Sequence, residues 1–187
     1  MSAAAGVAAR LRELPPPGSG PVIVAVEGRA GAGKTTFGAA LAAELGARQL
    51  DLDELYPGWS GLEEGARVAA GELVEPLAAG RTAVVPRWDW IAGRPAEPLV
   101  VEPEEFLVLS GTGSGSRAAA PHLALIAWME LGDEERRRRA LERDGELFAP
   151  HWDEWSRQVE AHLERERTRE RADVVLDTTG AEPVLRA

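Results

Sequence analysis

Residues 28–35 read Gly28-Arg29-Ala30-Gly31-Ala32-Gly33-Lys34-Thr35, and Lys34 is the only lysine among the 21 basic residues of the chain. The spacing G-x-x-x-x-G-K-[ST] is that of the phosphate-binding loop. Its glycines let backbone N–H groups turn inward around phosphates, and the helix that follows adds its positive N-terminal end. A compact ammonium reaches between phosphates where a planar guanidinium does not fit. The motif therefore predicts a site for a nucleoside triphosphate.

The sequence on either side of the loop supports this interpretation. Residues 21–27 form an apolar run rich in β-branched residues, typical of a strand buried on both faces. Residues 36–45 have a helical pattern that ends before Gly46, a residue favoured just past helix ends. The alternative is a chance match in an Ala- and Gly-rich chain, but the order strand, loop, helix argues against it. We expect the loop and Thr36 to bind the phosphates of ATP, and the Thr35 hydroxyl to hold Mg²⁺.

Composition limits the classes of protein to which the chain can belong. It has 187 residues, no cysteine and a formal net charge of −10. Without cysteine, neither a disulfide framework nor a thiolate metal site can form, and the negative charge argues against a nucleic-acid binder. The apolar runs are far shorter than the roughly 20 residues that cross a bilayer, and the N-terminus lacks the pattern of a secretory signal. We expect a cytoplasmic protein without nucleic-acid or membrane partners, and the sequence leaves homo-oligomerisation open.

Periodicity and turn residues divide the chain into elements. A short helix is predicted at residues 3–14, followed by a Pro- and Gly-rich linker, so that residues 1–20 precede the domain at 21–187. Besides 21–27, strands are predicted at 47–51, 105–110, 123–128 and 173–177, helices at 61–79 (broken at Gly71 and Pro76), 133–146 and 152–171, and an antiparallel excursion within 82–102. Strands alternating with helices predict an α/β fold. We expect a three-layer P-loop NTPase architecture, with a parallel five-stranded sheet, helices on both faces and a helical lid around 132–150.

Polar side chains follow the second predicted strand directly, at Asp51, Asp53 and Tyr56. Ligands of open α/β sheets bind beyond the carboxyl ends of the strands, so these side chains should lie beside the phosphate loop. A carboxylate there can accept a proton from an attacking hydroxyl or hold Mg²⁺. The alternative is a helix N-cap or a solvated turn acid. The neighbouring phosphate loop favours a functional role for Asp53, with Asp51 as a further candidate for the metal.

Arginines are concentrated in the predicted helix 133–146, where Arg136–Arg139 are consecutive and Arg143 follows. Ion pairs at i,i+4 account for some of them, but four consecutive residues cannot all lie on one helix face. Phosphoryl transfer uses guanidinium groups to neutralise charge on the transferred phosphate. Arg139 and Arg143 are therefore our candidates for a lid over the phosphates.

The aromatic composition is unusual, with six tryptophans against three phenylalanines and one tyrosine. Trp88 and Trp90 flank Asp89 in the predicted excursion. An indole face can stack on a nucleobase, but core packing is the more frequent use of tryptophan. The sequence leaves both open for Trp88.

Taken in order, these motifs resemble those of the uridine kinase-like branch of the P-loop nucleoside and nucleotide kinases, and in particular small actinobacterial ATP-binding proteins of that branch. The similarity spans about residues 21–179. Residues 53–56 fall where the family has Asp-Ser-Phe-Tyr, which implies that Asp53 is the base on the acceptor hydroxyl and that Tyr56 lines the acceptor pocket. Residues 86–90 resemble Pro-x-Tyr-Asp-Phe, which implies that Trp88 and Asp89 lie near the acceptor. Residues 139–144 are similar to the lid helix, and 172–175 to the closing strand.

The chain departs from the family pattern at two positions. The family places a glutamate that helps to hold Mg²⁺ where this chain has Ser110, and it has a sugar-recognising histidine in the region of Gly93 and Arg94. Arg94 would suit a phosphate or carboxylate on the acceptor. The resemblance implies an ATP- and Mg²⁺-dependent kinase of a small, nucleoside-like acceptor. Ser110 keeps open an ATP-binding switch or scaffold with little or no transfer.

Overall fold

The computed structural model describes residues 2–15, 18 and 20–186. Part of the expected linker, Pro16, Pro17 and Ser19, lies outside the described residues. Among the helices that are described, none has both the length and the apolar character needed to cross a membrane.

A mainly parallel sheet forms the centre of the fold. Its strands lie in the spatial order β2 (Arg48–Asp51), β5 (Phe106–Ser110), β1 (Val22–Gly28), β6 (Leu125–Glu130), β7 (Val174–Asp177) and β8 (Val184–Leu185). The first five are parallel, which confirms the predicted five-stranded parallel sheet, and β8 adds an antiparallel edge. The edge strand was not predicted from the sequence, because two residues are too few to show a strand period.

Helices cover both faces of the sheet, as the sequence predicts. The first face carries α1 (Ala3–Arg12) and α2 (Lys34–Leu45). The second face carries α3 (Leu62–Val68), a π-helical segment (Ala69–Val74), α4 (Glu75–Ala78), α5 (Asp133–Phe148) and α6 (Trp152–Glu166). A short helix, α7 (Thr168–Arg171), precedes β7. The central strand β1 is buried on both sides, because Val24 and Val26 pack on the first face and Ile23 on the second.

Three helices differ from their predicted extents. The break expected at Gly71 and Pro76 is a change of helix type rather than a gap in the helix. The π-helical segment that contains Gly71 follows α3 directly, and Pro76 lies in the first turn of α4, where its missing N–H is tolerated. The single helix expected over 152–171 is interrupted at Arg167, which adopts φ 51°. Helix α5 reaches Phe148 but is kinked at Gly145, with φ 52° and ψ −132°.

The excursion between the second and third strands of the main sheet is the expected antiparallel pair. Strands β3 (Ala83–Asp89) and β4 (Arg94–Val101) form a separate two-stranded sheet, with an irregular register between Val85 and Arg87. The turn of this hairpin brings Trp90 towards the carboxyl ends of the central strands, where it bonds to the backbone of Asp53.

Candidate active site

The phosphate loop joins β1 to α2 in a conformation that favours glycine. Gly31 and Gly33 have φ of 79° and 90°, and a Cβ on Gly31 would lie 2.1 Å from the carbonyl oxygen of Arg136. Helix α2 begins at Lys34, and the N–H of Phe37 makes its bond of 3.0 Å to the Gly33 carbonyl. The N–H groups of residues 34–36 therefore precede the first intrahelical bond of α2 and are oriented for an anion.

The ammonium of Lys34 lies within this loop. Its Nζ donates a hydrogen bond of 2.9 Å to the carbonyl of Arg29. Burial lowers the pKa of Lys34, while the carboxylates of Asp53, Glu27 and Asp51 favour its charged form. A polyanion bound to the loop would supply negative charge that stabilises this partly desolvated ammonium.

The side chain of Arg29 leaves the loop on its other side. Its Nε and Nη2 donate to the carboxylate of Glu160 on α6 at 2.7 and 2.9 Å, and its guanidinium lies 5.9 Å from the ring centroid of Trp128. These contacts hold the guanidinium against α6. At this loop position only the backbone remains available to a bound phosphate.

Two carboxylates lie beside the loop. The hydroxyl of Thr35 donates to Asp51 Oδ2 at 2.7 Å, and Asp51 Oδ1 accepts the N–H of Asp53 at 3.2 Å. Asp51 thus caps a short 3₁₀ turn and also contacts the start of α2 through Thr35. The capping alternative applies to Asp51, and its role toward Mg²⁺ stays a prediction.

The oxygens of Thr35, Asp51 and Asp53 are of the type that Mg²⁺ prefers. Across residues 2–15, 18 and 20–186, no three His, Cys, Asp or Glu side chains group as a metal site. Magnesium bound with nucleotide phosphates needs only one or two protein oxygens, so the residues present fit such an ion.

The carboxylate of Asp53 has a raised pKa. Burial, and then the nearby charge of Asp51, raise the pKa of Asp53 to about 6, while Lys34 and Arg143 act in the opposite direction. By accessible surface the Asp53 side chain is exposed, so the charge of Asp51 is the cause of the raised pKa that applies in either setting. A carboxylate of this kind is ionised at neutral pH and remains a competent proton acceptor.

A cavity of about 340 Å³ connects the loop to these carboxylates. Its polar side includes Lys34, Thr35, Asp51, Asp53 and Arg143. Its other side is an aromatic wall formed by Tyr56, Trp59, Trp90, Phe148 and Trp155. Trp59 is central to this wall, with ring centroids 4.6 Å from Trp90 and 5.3 Å from Phe148.

Tyr56 lines the cavity as the resemblance implies, but with its ring. Its hydroxyl is buried and donates to the carbonyl of Thr112 at 2.7 Å. The Thr112 hydroxyl in turn donates to the Gly28 carbonyl at 2.9 Å. Thr112 therefore ties the loop after β5 to the start of the phosphate loop, and Tyr56 holds Thr112 in place.

Three residues assigned to the acceptor from the sequence lie outside the lining of this cavity: Trp88, Asp89 and Arg94. Asp89 accepts the N–H groups of Ile91 and Ala92 in the hairpin turn, both at 2.9 Å, and Arg94 is exposed on β4. The ring of Trp88 packs over Gly58. The indole that reaches the cavity is Trp90, because β3 ends at Asp89 and the alternation of its side chains ends there.

Trp90 also contacts the backbone of the proposed base. Its indole N–H donates to the carbonyl oxygen of Asp53 at 2.7 Å. The aromatic wall and the catalytic candidate are therefore linked directly.

The two candidate lid arginines separate in the structure. Arg143 lines the cavity and pairs with Asp144, at 2.8 Å for Nε and 2.6 Å for Nη2. Arg139 lies outside it: its Nε donates to Glu135 at 2.7 Å and its Nη1 to the Thr178 carbonyl at 3.0 Å. Residues four apart share one face of a helix, but the segment after β7 holds the Arg139 side chain outside the first cavity. A role of Arg139 over the γ-phosphate stays a prediction.

For the phosphotransfer that the family resemblance implies, we expect Arg143→Ala to lower the rate by about 100-fold, because a guanidinium at the cavity is removed from the developing charge. Arg139→Ala, on the same helix, should change the transfer rate by less than about threefold under saturating ATP. Steady-state kinetics of the two variants side by side decides this. Equal losses in both would contradict the separation of the two arginines.

Arg136 was not singled out from the sequence but supports the loop. It is largely buried, and its Nη1 donates to the Ala30 carbonyl at 3.0 Å while its Nη2 bonds Asp133 at 2.7 Å. The single signal for Arg136 in the sequence was its place in the run of four arginines.

Glu27 was also missed. This carboxylate, at the end of β1, is fully buried and accepts the N–H groups of Gly113 at 2.8 Å and Gly115 at 2.9 Å. Burial raises the pKa of Glu27, and the backbone donors favour its charged form. Glu27 thus joins the Gly-rich segment after β5 to the start of the phosphate loop. The signal in the sequence that could have identified Glu27 was a charged residue at the end of an apolar strand.

The serine at the family's glutamate position also has a supporting role. Ser110 is buried at the end of β5, and its Oγ accepts from Gln49 Nε2 at 2.8 Å. The same Nε2 donates to the Thr35 carbonyl at 3.0 Å. These bonds connect the sheet to the first turn of α2.

A second cavity, of about 280 Å³, lies on the other side of Gly33, which lines both cavities. Helix α2 contributes Thr36, Phe37 and Ala40, and the segment after β7 contributes Thr178 and Pro183. Arg139 and the first turn of α1 complete its lining. The loop thus separates a deep polar and aromatic cavity from a smaller one near the N-terminus of α2.

Comparison with solved structures identifies the fold. The chain is similar to a possible uridine kinase from Bacillus stearothermophilus, with a TM-score of 0.67 and 15% identity over 92% of this chain and 96% of that one. It is also similar to a candidate fructose transport system kinase from Silicibacter sp. TM1040, with a TM-score of 0.62 and 19% identity over 92% and 96% of the two chains. No family profile and no curated protein sequence match the chain. The predicted resemblance is confirmed at the level of structure: the chain has the fold of the uridine kinase-like P-loop kinases.

Proposed function

We propose that the protein is an ATP- and Mg²⁺-dependent phosphotransferase that acts on a small, hydroxyl-bearing, nucleoside-like acceptor. The observation that carries this proposal is the first cavity. It joins the phosphate loop, the Thr35–Asp51 pair and Asp53 to a space with an aromatic wall. A phosphate donor and a ring-bearing acceptor can therefore meet beside one carboxylate.

Each polar group has a role in this proposal. Lys34 and the N–H groups at the start of α2 bind the phosphates, while Thr35 and Asp51 would hold Mg²⁺, which neutralises charge on the phosphates when bound. Asp53 accepts the proton of the acceptor hydroxyl as its oxygen bonds to the γ-phosphorus and the bond to the β-phosphate oxygen breaks. Arg143 lies where it can neutralise charge on the transferred group.

The aromatic wall supports a flat acceptor. An indole ring has a large π face on which a base can stack, and every base can stack in this way. The indole of Trp90 bonds the Asp53 carbonyl, so a ring stacked on Trp90 would place an attached hydroxyl group beside the base.

We expect Trp90→Ala to raise KM for the acceptor about tenfold or more, because a stacking face is worth about 1–3 kcal/mol per base. Trp88→Ala is the matched control and should leave KM unchanged, since Trp88 packs over Gly58. Trp90→Phe separates the ring from its N–H: it keeps a stacking face but loses the bond to Asp53. A larger effect from Trp88→Ala than from Trp90→Ala would restore the assignment made from the sequence.

The second cavity offers space for the rest of the nucleotide. It begins at Gly33 and Thr36, close to the N-terminus of α2, where phosphates bound to the loop would end. The base and ribose of ATP would lie there, while the γ-phosphate points into the first cavity.

An ADP-release assay with purified protein, MgATP and a panel of nucleosides and small alcohols tests the function. Acceptor-dependent ADP release with a phosphorylated product supports the kinase. MgATP binding without turnover on any acceptor would contradict it.

That second result would favour the other candidate, an ATP-binding switch or scaffold. The observation behind it is Ser110, whose buried hydroxyl bonds to Gln49 and offers no carboxylate to Mg²⁺. For a switch, MgATP and MgADP should protect different backbone amides from hydrogen exchange, without acceptor-dependent turnover.

A further inference from the structure

We propose that the N-terminal helix α1 is part of the nucleotide site, because its first turn closes the outer wall of the second cavity. The inference rests on the proposed function, which places the base and ribose of ATP in this cavity. Its lining includes Ser2, Ala3 and Ala4 of α1, opposite Thr178 and Pro183. A segment that precedes the phosphate loop in sequence would thus set the affinity for the nucleoside end of ATP.

Helix α1 is held firmly enough to act as a wall. Its apolar face, with Ala4, Val7, Ala8 and Leu11, is buried in the same core cluster as Phe37 and Leu41 of α2. Its packing partner α2 is the helix that begins at the phosphate loop, so the wall is fixed relative to the bound phosphates.

Polar contacts fix both ends of α1. At its start, the Ser2 hydroxyl accepts the N–H of Ala5 at 3.2 Å and caps the helix. At its end, the guanidinium of Arg12 donates to the carbonyl of Glu44 on α2. The first turn is therefore held in place beside the cavity.

The side chains of this wall are small. Ala3 and Ala4 present methyl groups to a cavity of about 280 Å³, whose other sides include the ring of Phe37 and the side chain of Ala40. Such a lining suits the apolar faces of a base, and the polar side chains of Thr36, Glu44, Arg139 and Glu182 in the same lining are available to its edges. A longer side chain at Ala3 would take up space that the base needs.

The experiment compares Ala3→Leu with Ala9→Leu in the full chain. Leucine is nearly as good a helix former as alanine, and Ala9 is exposed on the same helix. Calorimetry is carried out with two probes, MgATP and magnesium tripolyphosphate, of which the second has phosphates but no base. We expect Ala3→Leu to weaken MgATP binding about tenfold while tripolyphosphate binding stays within about twofold, and Ala9→Leu to change neither.

Wild-type protein supplies a second readout that does not depend on the variant folding. The amide resonances of residues 3–5 should shift on addition of MgATP and not on addition of tripolyphosphate. Unchanged MgATP binding in Ala3→Leu, equal weakening of both probes, or identical amide shifts with both would overturn the role of α1. Failure of wild-type protein to bind either probe would instead overturn the proposed function.

Discussion

Replacing Lys34 with alanine is expected to weaken MgATP binding by at least about tenfold and to lower phosphotransfer by at least about 100-fold. Lys34 is the only lysine of the chain. Its ammonium lies inside the loop, whose backbone N–H groups would also contact the phosphates. Its removal leaves the backbone N–H groups as the loop's own contacts with the polyanion. Calorimetry with MgATP and the ADP-release assay measure the two effects.

The fold should survive this substitution. Burial lowers the pKa of Lys34, which means that the folded protein disfavours its charge, and the hydrogen bond lost is to the loop's own carbonyl. Lys34→Arg is the matched variant: it keeps the charge but should not restore binding, because a planar guanidinium does not fit between phosphates. Wild-type affinity for MgATP in Lys34→Ala would remove the basis of the proposed function.

Asp53→Asn is expected to lower phosphotransfer by about 100- to 10,000-fold while MgATP binding stays within a few-fold of wild type. The amide cannot accept the proton of the acceptor hydroxyl, but it has nearly the same size and keeps the backbone bond from Trp90. Single-turnover kinetics, combined with calorimetry, separates transfer from binding.

The neighbouring carboxylate supplies the control for this variant. Glu54 follows Asp53 in the chain and pairs with Arg87 at 2.7 Å on the surface, so Glu54→Gln should transfer phosphate at the wild-type rate. Full activity in Asp53→Asn would exclude Asp53 as the base and direct attention to Asp51, which bonds the Thr35 hydroxyl.

Much of the architecture could be predicted from the sequence because its signals are local. The loop at residues 28–35 is defined by spacing alone, and its conformation depends on glycines that tolerate positive φ at Gly31 and Gly33. Apolar runs of strand length between helical patterns were enough to predict five parallel strands. The position of Asp53 beside the loop followed from the rule that ligands bind at the carboxyl ends of parallel strands.

Helix ends were predicted less well, because they depend on single backbone conformations. The pattern of apolar residues continues across Arg167 and Gly145, yet both have positive φ and interrupt the helices there. Nothing in the periodicity distinguishes such a residue from its neighbours.

The direction of long side chains was decided by tertiary contacts. Trp88 and Trp90 are two residues apart and look equivalent in the sequence, but β3 ends between them and only Trp90 lines the cavity. Arg139 and Arg143 are one helical turn apart, but the Thr178 carbonyl, 39 residues away in the chain, holds the first of them.

The same holds for the buried carboxylate of Glu27, whose donors at Gly113 and Gly115 come from a segment more than 80 residues later. Local patterns specify backbone conformation, because φ, ψ and strand burial depend on nearby residues. Which side chains line the cavity depends on the hydrogen bonds and ion pairs that each flexible side chain makes with residues distant in sequence. Only the folded chain brings those residues together.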